Sequence, residues 1–347
     1  MPRLRIPLAP MEATTVDEMP VGPQWQYEPK WDGFRCIAFR RGKKIELQSK
    51  SGKPLTRYFP EMISDLARLK ADAFVLDGEI VISTGKRLSF NDLLQRIHPA
   101  VSRIKKLADA TPATYIVFDL LEDAAGPLVE LPLERRRRTL ELFAKREFRR
   151  AERIVLSPAT RDIRAARRWF AAAGKALDGI IAKRADLEYR SGDRAGMQKI
   201  KRQQTADCVV GGFRYATKGR LVGSLLLGLY DDEGLLHHVG FTANIPRAEK
   251  AALKSQLEWL IQPPGFTGSA PGGPSRWSTK RSTEWQPLRP KLVVEVQFDH
   301  FTGGRFRHGT RFVRWRPDKA PRQCTLEQVA TKGAGPVKLL RQAATSS

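Results

Sequence analysis

The 347-residue sequence has only three cysteines, Cys36, Cys208 and Cys324, and they lie far apart. No C-x-x-C pair occurs, so a zinc site built from such pairs is not indicated. Three distant cysteines also give no basis for the disulfide framework of a small secreted protein. The chain is long enough for two ordinary domains, each with its own apolar core.

Acidic residues are scarce relative to basic ones. The sequence has 61 Lys and Arg against 37 Asp and Glu, which gives a formal net charge of +24. The surplus runs through the whole chain and is not confined to a tail. A basic surface on a folded body favours a polyanionic partner, and nucleic acid is the commonest one.

Long apolar runs are missing. No run of 18 or more apolar residues is present, so no membrane-spanning helix is predicted. The first twenty residues are interrupted by prolines and acids and lack the apolar centre of a signal peptide. We therefore expect a cytoplasmic protein that does not bind membranes.

Glycine-rich phosphate loops are absent as well. There is no G-x-x-x-x-G-K-[ST] motif and no G-x-G-x-x-G motif, which argues against P-loop and Rossmann nucleotide sites. Any bound phosphates would then be held by lysine and arginine side chains.

The pattern of apolar residues changes near Thr205. Before it, strands and amphipathic helices predict an α+β domain of antiparallel sheets with flanking helices over residues 1–204. After it, five strand-like segments and one helix, beginning at Pro246, predict a small β-barrel of the oligonucleotide/oligosaccharide-binding (OB) type over residues 205–331. Residues 332–347 are expected to form a disordered tail.

The first domain is expected to begin with an extended segment over residues 1–24. Its predicted helices cover Glu61–Lys70, Ser89–Ile97, Leu133–Phe148 and Asp162–Ala173. Its main predicted strands cover Phe74–Ile82, Tyr115–Leu121, Ala176–Lys183 and Met197–Arg202.

One stretch, Glu28-Pro29-Lys30-Trp31-Asp32-Gly33-Phe34-Arg35, places a lysine between two acids. Alternate residues of a strand share a face, so Glu28, Lys30 and Asp32 are expected to point the same way. This pattern indicates a lysine whose surroundings tune it for chemistry. It also fits a surface hairpin with Asp32-Gly33 in its turn.

Charged residues interrupt several other apolar strands. Buried charge is costly, so their number favours a shared polar pocket over separate outward-facing residues. The set consists of Lys30, Glu79, Asp178, Lys183, Lys199 and Lys201. Carboxylates and cations together suit a phosphate–metal complex with Mg²⁺ or Mn²⁺. Neighbouring cations and a metal would also lower the pKa of Lys30 from about 10.4 and make it a nucleophile.

The segment from Lys30 to Arg35 resembles the K-x-D-G-x-R signature of the covalent nucleotidyltransferases. This group contains ATP-dependent DNA ligases, RNA ligases and mRNA capping enzymes. The companion motifs occur in the family's order as Asp77-Gly78-Glu79, Phe118-Asp119, Asp178–Lys183, Lys199-Ile200-Lys201 and Arg314–Lys319. The resemblance covers nearly the whole chain and is greatest to bacterial ligases of the ligase C type and to the ligase module of ligase D.

The resemblance implies an adenylation (nucleotidyltransferase) domain followed by an OB-fold domain. It also implies an ATP-dependent DNA ligase that seals nicks between 3′-hydroxyl and 5′-phosphate ends through a lysyl-AMP intermediate, in DNA repair. Its substrates would be ATP and nicked duplex DNA, its metal Mg²⁺ or Mn²⁺, and it is expected to be a monomer.

The resemblance also assigns roles to individual residues. Lys30 would be the nucleophile, Arg35 would contact the ribose and the α-phosphate side, and Lys199 and Lys201 would hold the α-phosphate. Glu28 would lie beside the adenine, with Phe118 stacked on it. Glu79 and Asp178 would hold the metal. The remaining ATP-binding residues implied by the motifs are Lys50, Lys183, Arg314, Arg316, Asp318 and Lys319, the last four orienting pyrophosphate when the barrel domain closes.

Two positions depart from the family's usual pattern. Ser49-Lys50-Ser51-Gly52 has lysine where many relatives have arginine, and lysine cannot make a bidentate contact to phosphate. The fourth motif begins with Asp178, which is one methylene shorter than the usual glutamate.

Two other functions fit parts of the same sequence. An RNA ligase or a GTP-using capping enzyme would use the same motifs on another substrate. A basic OB-fold protein that binds nucleic acid without catalysis would not require the charged strand residues to converge.

Within these 347 residues we identify no DNA-clamping, polymerase or nuclease domain, so we expect DNA to be bound mainly by the basic faces. Nick sealing should fall by roughly tenfold or more between 50 and 200 mM salt, because counterion release drives such binding. Self-adenylylation needs no DNA and serves as the control in the same salt series. Sealing that stays level over this range would contradict the expectation.

Overall fold

The computed structural model describes residues 3–85, 87–172, 177–202, 204–216, 221–243, 245, 250–272 and 284–330. The expected tail at 332–347 and the helix start expected at Pro246 lie outside these ranges. The chain divides into two units, Met1–Arg202 and Gln203–Ala330. The domain limits 1–204 and 205–331 are kept as a proposal.

The first unit contains strands and helices in mixed order. They are β1 Thr14–Val16, β2 Trp25–Lys30, β3 Phe34–Arg41, β4 Lys44–Ser49, α1 Pro60–Arg68, β5 Ala73–Thr84, β6 Arg87–Leu88, α2 Phe90–Arg96, α3 Val101–Ala110, β7 Ala113–Asp123, β8 Gly126–Pro127, α4 Leu133–Glu147, β9 Ile154–Leu156, α5 Ile163–Ala172, β10 Gly179–Arg184 and β11 Met197–Lys201.

The second unit is mostly strand. Its elements are β12 Gln204–Tyr215, β13 Val222–Tyr230, β14 Leu236–Thr242, α6 Lys250–Trp259, β15 Gln286–Pro287, β16 Val293–Phe298, β17 Phe301–Thr302, β18 Arg305–Phe306 and β19 Arg311–Trp315. No helix in the described ranges of either unit is long and apolar enough to cross a membrane.

Two sheets form the frame of the first unit. One runs β4-β3-β5-β7-β8, and the other runs β1-β11-β10-β2. Strands β2 and β3 are consecutive in the chain yet belong to different sheets. The hairpin interpretation of Asp32-Gly33 is therefore wrong, because these residues carry the chain from one sheet to the other. A Cβ on Gly33 would lie 2.2 Å from the Ile80 carbonyl oxygen, so the crossing has no room for a side chain.

The core of the first unit forms where α1 and α4 cover the larger sheet. Met62 and Leu66 of α1 and Leu140 of α4 are buried in the same apolar cluster as Leu76 and Val117 of the sheet. Fully burying an aliphatic side chain of this size stabilises a fold by about 1.5–3 kcal/mol. Helix α2 begins as the capping pattern predicts, since the Ser89 hydroxyl accepts the Asp92 backbone N–H at 3.3 Å.

The second unit is a small barrel built on the strand order β14-β13-β12-β16-β19. The two ends of this order meet where Thr242 of β14 pairs with Thr310, just before β19. Two hydroxyl bonds secure the junction: Thr242 Oγ1 donates to the Thr310 carbonyl and Thr310 Oγ1 donates to the Phe241 carbonyl, both at 3.1 Å. Closure removes the free sheet edges, as expected for an OB-type barrel.

Three features differ from the sequence-based expectation. The sheets are mainly antiparallel, but β1 pairs with β11, and β7 with β9, in parallel. Strand β1 lies in the segment predicted to be merely extended, because three residues form a strand only through their tertiary partner. Helix α3 was missed, although Ile104 and Ala108 lie at helical spacing and are its buried residues.

Candidate functional site

A cavity of about 220 Å³ opens in the first unit between residues of both sheets and the segment that precedes β1. Most of the predicted ATP-binding residues of this unit line it. They are Glu28, Lys30, Arg35, Lys50, Glu79, Phe118, Lys183 and Lys199. Asp178 joins the same group through its contact with Lys30, and Lys201 joins it through its contact with Asp178. The six charged residues that interrupt apolar strands therefore converge.

Lys30 at the end of β2 is in ion-pair contact with the Asp178 carboxylate, and Lys201 Nζ lies 3.7 Å from the other Asp178 oxygen. Burial alone would lower the pKa of Lys30, but Asp178 and the nearby Glu79 raise it above its ordinary value. The neighbouring cations therefore do not by themselves lower the pKa of Lys30. The lowering expected from cations and a metal together stays a prediction. The lysine is held as an ammonium ion by a carboxylate.

Strand register explains this contact. Gly179 of β10 lies opposite both Lys30 of β2 and Lys201 of β11, so Asp178, its neighbour, comes between the two lysines. Gly179 has φ +148°, and a Cβ there would lie 2.0 Å from the Ile200 carbonyl oxygen. Only glycine fits this position, which accounts for the Asp-Gly pair.

Glu28 belongs to a buried polar cluster in the wall of the cavity. Its carboxylate accepts a bond from Gln26 Nε2 at 2.8 Å and one from Lys183 Nζ at 2.7 Å. Glu28 is 2% exposed and Lys183 is 5% exposed. Lys183 Nζ also lies 4.4 Å from the centre of the Phe118 ring, so the aromatic wall and the buried pair form one assembly.

Arg35 is held by Asp77, the first residue of the Asp77-Gly78-Glu79 motif, to which the sequence assigned no role. Asp77 accepts bonds from Arg35 Nε and an Arg35 terminal nitrogen, both at 2.6 Å, and from the Tyr189 hydroxyl at 2.7 Å. Burial and the Asp77 carboxylate raise the pKa of Tyr189 well above its ordinary value. The guanidinium carbon of Arg35 lies 4.5 Å from the centre of the Phe118 ring, so Arg35 reaches the cavity with a fixed orientation.

Glu79 and Asp178 provide the oxygen ligands that Mg²⁺ and Mn²⁺ prefer. Burial raises the pKa of Glu79 to about 7, against the opposing effect of Lys30 and Arg35. Within the described residues no group of three or more His, Cys, Asp or Glu side chains forms a metal cage. Two carboxylates fit a Mg²⁺ ion that takes its other ligands from water and substrate phosphate.

Glu12, Lys50 and Lys199 line another part of the cavity, and an unpredicted arginine, Arg194, contacts Glu12. Glu12 Oε1 is 3.2 Å from Lys50 Nζ, and Glu12 Oε2 is 2.8 Å from Arg194 Nη2. The pKa of Lys199 is lowered by burial and by the surrounding cations, Lys201 first among them. Lysine does occupy the cavity at position 50, but it is already engaged by a carboxylate.

The four remaining predicted residues lie in the second unit, around β19. The Asp207 carboxylate of β12 accepts a hydrogen bond from Arg316 Nη1 at 2.8 Å and one from Lys319 Nζ at 2.6 Å. Arg314 donates to Glu295 at 2.7 Å, and Arg316 donates to Asp318 and lowers the pKa of Asp318 to about 2. These cations are thus oriented by acids of their own unit.

Sequence reasoning missed four residues of the first unit: Gln26, which contacts Glu28; Glu12, which contacts Lys50; and Tyr189 and Arg194, which contact Asp77 and Glu12 respectively. Gln26 shares a strand face with Glu28, so the period-2 rule gave a usable signal for it. The other three meet the site only through long-range contacts, and no local pattern marks them.

Two family models cover this chain. The ATP-dependent DNA ligase domain matches residues 10–201, and the ATP-dependent DNA ligase C-terminal region matches residues 218–319. The chain belongs to the ATP-dependent DNA ligases.

Named relatives agree with this assignment. DNA ligase C2 of Mycolicibacterium smegmatis is 43% identical over 339 residues, covering 93% of this chain and 94% of the relative. The multifunctional non-homologous end joining protein LigD of Mycobacterium bovis is 30% identical over 327 residues, covering 92% of this chain and 40% of that protein. The ligase is thus similar to the ligase C type and to one part of LigD.

A solved structure of a Lig E DNA ligase has a TM-score of 0.56 at 15% identity and covers 89% of this chain and 99% of that one. At that identity the likeness shows the fold. Both units therefore have the expected architecture, a nucleotidyltransferase domain of mixed sheets and helices and an OB-fold domain.

The buried pair in this ligase gives a stability prediction. Lys183→Met removes the ammonium and leaves the Glu28 carboxylate buried with Gln26 alone, so the free energy of unfolding should fall by about 3–5 kcal/mol. The double variant Glu28→Gln/Lys183→Met removes the stranded charge and should recover much of this loss. Urea unfolding measures both, and a double variant no more stable than Lys183→Met would contradict the account.

Proposed function

We propose that this DNA ligase seals nicks in duplex DNA through an AMP group carried covalently by Lys30. The observation that carries the proposal is the convergence of Lys30, Asp178, Lys199 and Lys201 at a cavity whose wall includes Phe118. A lysine amine, two further lysines for phosphate and an aromatic surface for a base are the groups that such a reaction requires.

In the first step the Lys30 amine forms a bond to the α-phosphorus of ATP. The bond between the α-phosphorus and the bridging oxygen breaks, and pyrophosphate leaves with the electron pair. Lys199 and Lys201 hold the α-phosphate oxygens, Phe118 stacks on the adenine and Glu28 lies beside it. We assign Arg314, Arg316, Asp318 and Lys319 to orient the pyrophosphate.

Lys30 must lose its proton before it attacks. Contact with Asp178 stabilises the ammonium form, so this contact must weaken as ATP enters. Glu79 and Asp178 are the residues that would hold Mg²⁺ or Mn²⁺. When bound, such a cation would neutralise phosphate charge and offset the carboxylate charge of Glu79 and Asp178 that stabilises the proton on Lys30.

Two further transfers complete the reaction. An oxygen of the 5′-phosphate at the nick displaces Lys30 from the AMP phosphorus. The 3′-hydroxyl then attacks the 5′-phosphate, forms the phosphodiester bond and releases AMP. Arg35, held by Asp77, which also accepts a hydrogen bond from Tyr189, stays at the ribose and α-phosphate through these steps.

The cellular setting is part of the same proposal. We assign the ligase to DNA repair, supported by its similarity to part of a non-homologous end joining protein. The cytoplasmic location and the monomeric state expected from the sequence stay predictions.

Labelled ATP and divalent metal test the proposal directly. The wild-type protein should form a covalent AMP adduct and seal a DNA nick, Lys30→Ala should do neither, and Lys43→Ala, in an exposed turn, should match wild type. GTP and nicks with RNA strands in parallel tests separate the ligase from a capping enzyme or an RNA ligase. The mechanism would be contradicted if Lys30→Ala formed the AMP adduct or if the wild-type protein formed none.

A further inference from the structure

Glu12 lies at the wall of the cavity, outside all the motifs identified in the sequence. One carboxylate oxygen is 3.2 Å from Lys50 Nζ, and the other is 2.8 Å from Arg194 Nη2 and 3.2 Å from Arg194 Nε. Its backbone N–H donates to the Asp193 carbonyl at 2.8 Å. The carboxylate therefore bridges two cations that come from separate parts of the chain.

The cations around Glu12 outnumber the acids that contact them. Burial and four cations, Lys201, Lys30, Lys50 and Arg194, lower the pKa of Lys199, so five positive charges lie near one another. Asp178 contacts Lys30 and Lys201, Glu12 contacts Lys50 and Arg194, and the charges of Glu79 and Asp32 also act on Lys30, which makes four acids against five cations. Among the described residues no acid is ion-paired with Lys199. Such an excess of positive charge is stabilised by an added anion.

We propose that Glu12 is an internal counter-ion that occupies a phosphate position beside Lys50, Arg194 and Lys199, and that a substrate phosphate exchanges with it. The inference rests on the proposed function, because that function brings phosphates to this cavity. Glu12 then selects between anions by charge. A phosphate dianion attracts the cations more strongly than the carboxylate that it replaces, whereas a monoanion attracts them about as strongly as Glu12 does.

The exposure of these residues makes the exchange inexpensive. The Glu12 side chain is 26% exposed, while those of Lys50 and Arg194 are 61% and 67% exposed. Ion pairs this close to solvent contribute little to stability, so their rupture does not threaten the fold. The buried Glu28–Lys183 pair of the same cavity is the opposite case and is not exchangeable.

The phosphate that exchanges with Glu12 can come from two sources. One is the polyphosphate of ATP, which leaves as pyrophosphate, and the other is the 5′-phosphate of the DNA nick. Both present the same chemistry to Lys50, Arg194 and Lys199. Inorganic pyrophosphate and nicked duplexes with a 5′-phosphate or a 5′-hydroxyl separate the two.

The test is the variant Glu12→Gln, which keeps the shape of the side chain and removes its charge. Calorimetric titration with pyrophosphate, at fixed ionic strength, should give a dissociation constant lower by roughly three- to tenfold, since the carboxylate no longer competes for two cations. If the exchanging phosphate belongs to the nick, Glu12→Gln should instead bind the 5′-phosphate nick more tightly by the same factor, relative to the 5′-hydroxyl nick. Glu130→Gln, an exposed site with the same change of charge, should leave both values unchanged.

A second variant tests whether the effect passes through Arg194. In an Arg194→Gln background, the change caused by Glu12→Gln should shrink, because one of the two cations that Glu12 engages is gone. Unchanged or weaker binding of both phosphate probes by Glu12→Gln would overturn the inference. These titrations measure binding and need no AMP adduct. Failure of the Lys30 mechanism would appear as a missing adduct and would not change the binding results.

Discussion

The contact between Lys30 and Asp178 is the interaction on which the site depends. An amine that is to attack phosphorus must be kept in place among other cations, and an uncompensated buried ammonium is costly. Asp178 compensates it, and Gly179 makes that possible by letting β10 approach β11 closely. The same contact favours the protonated amine, which must lose its proton before the attack on ATP proposed above.

The remaining charges of the cavity follow the same rule at different depths. Glu28 and Lys183 form a buried pair, and Asp77 holds Arg35 with the help of Tyr189. At the rim, Glu12 is shared by Lys50 and Arg194. The burial of each acid therefore accounts for its role. The buried Glu28 and Asp77 hold their partners in a fixed geometry, whereas the more exposed Glu12 can be exchanged for a substrate phosphate.

Much of this could be predicted from the sequence, since local signals carry it. The strand around Ile80, the helix after Ser89 and the run from Gly179 to Lys183 all follow from period and capping. The motifs brought the charged strand residues into one hypothesis, and the fold does bring them together. The ligase family and the order of its two domains followed from those motifs.

What failed depended on distant partners. Asp32-Gly33 has the composition of a hairpin turn, but the close approach to Ile80 sends the chain to another sheet. The sequence showed the cations that were expected, together with a metal, to lower the pKa of Lys30. The contact with Asp178 that raises this pKa depends on the register of β10. Glu12, Tyr189 and Arg194 meet the site only in three dimensions.

The central claim is that one lysine among several in this cavity carries the AMP. Peptide mapping by mass spectrometry, after incubation with ATP and Mg²⁺, tests it most directly. The account predicts AMP on the peptide that contains Lys30 and at that residue alone. AMP on Lys199 or Lys201, or on no lysine of the cavity, would contradict it.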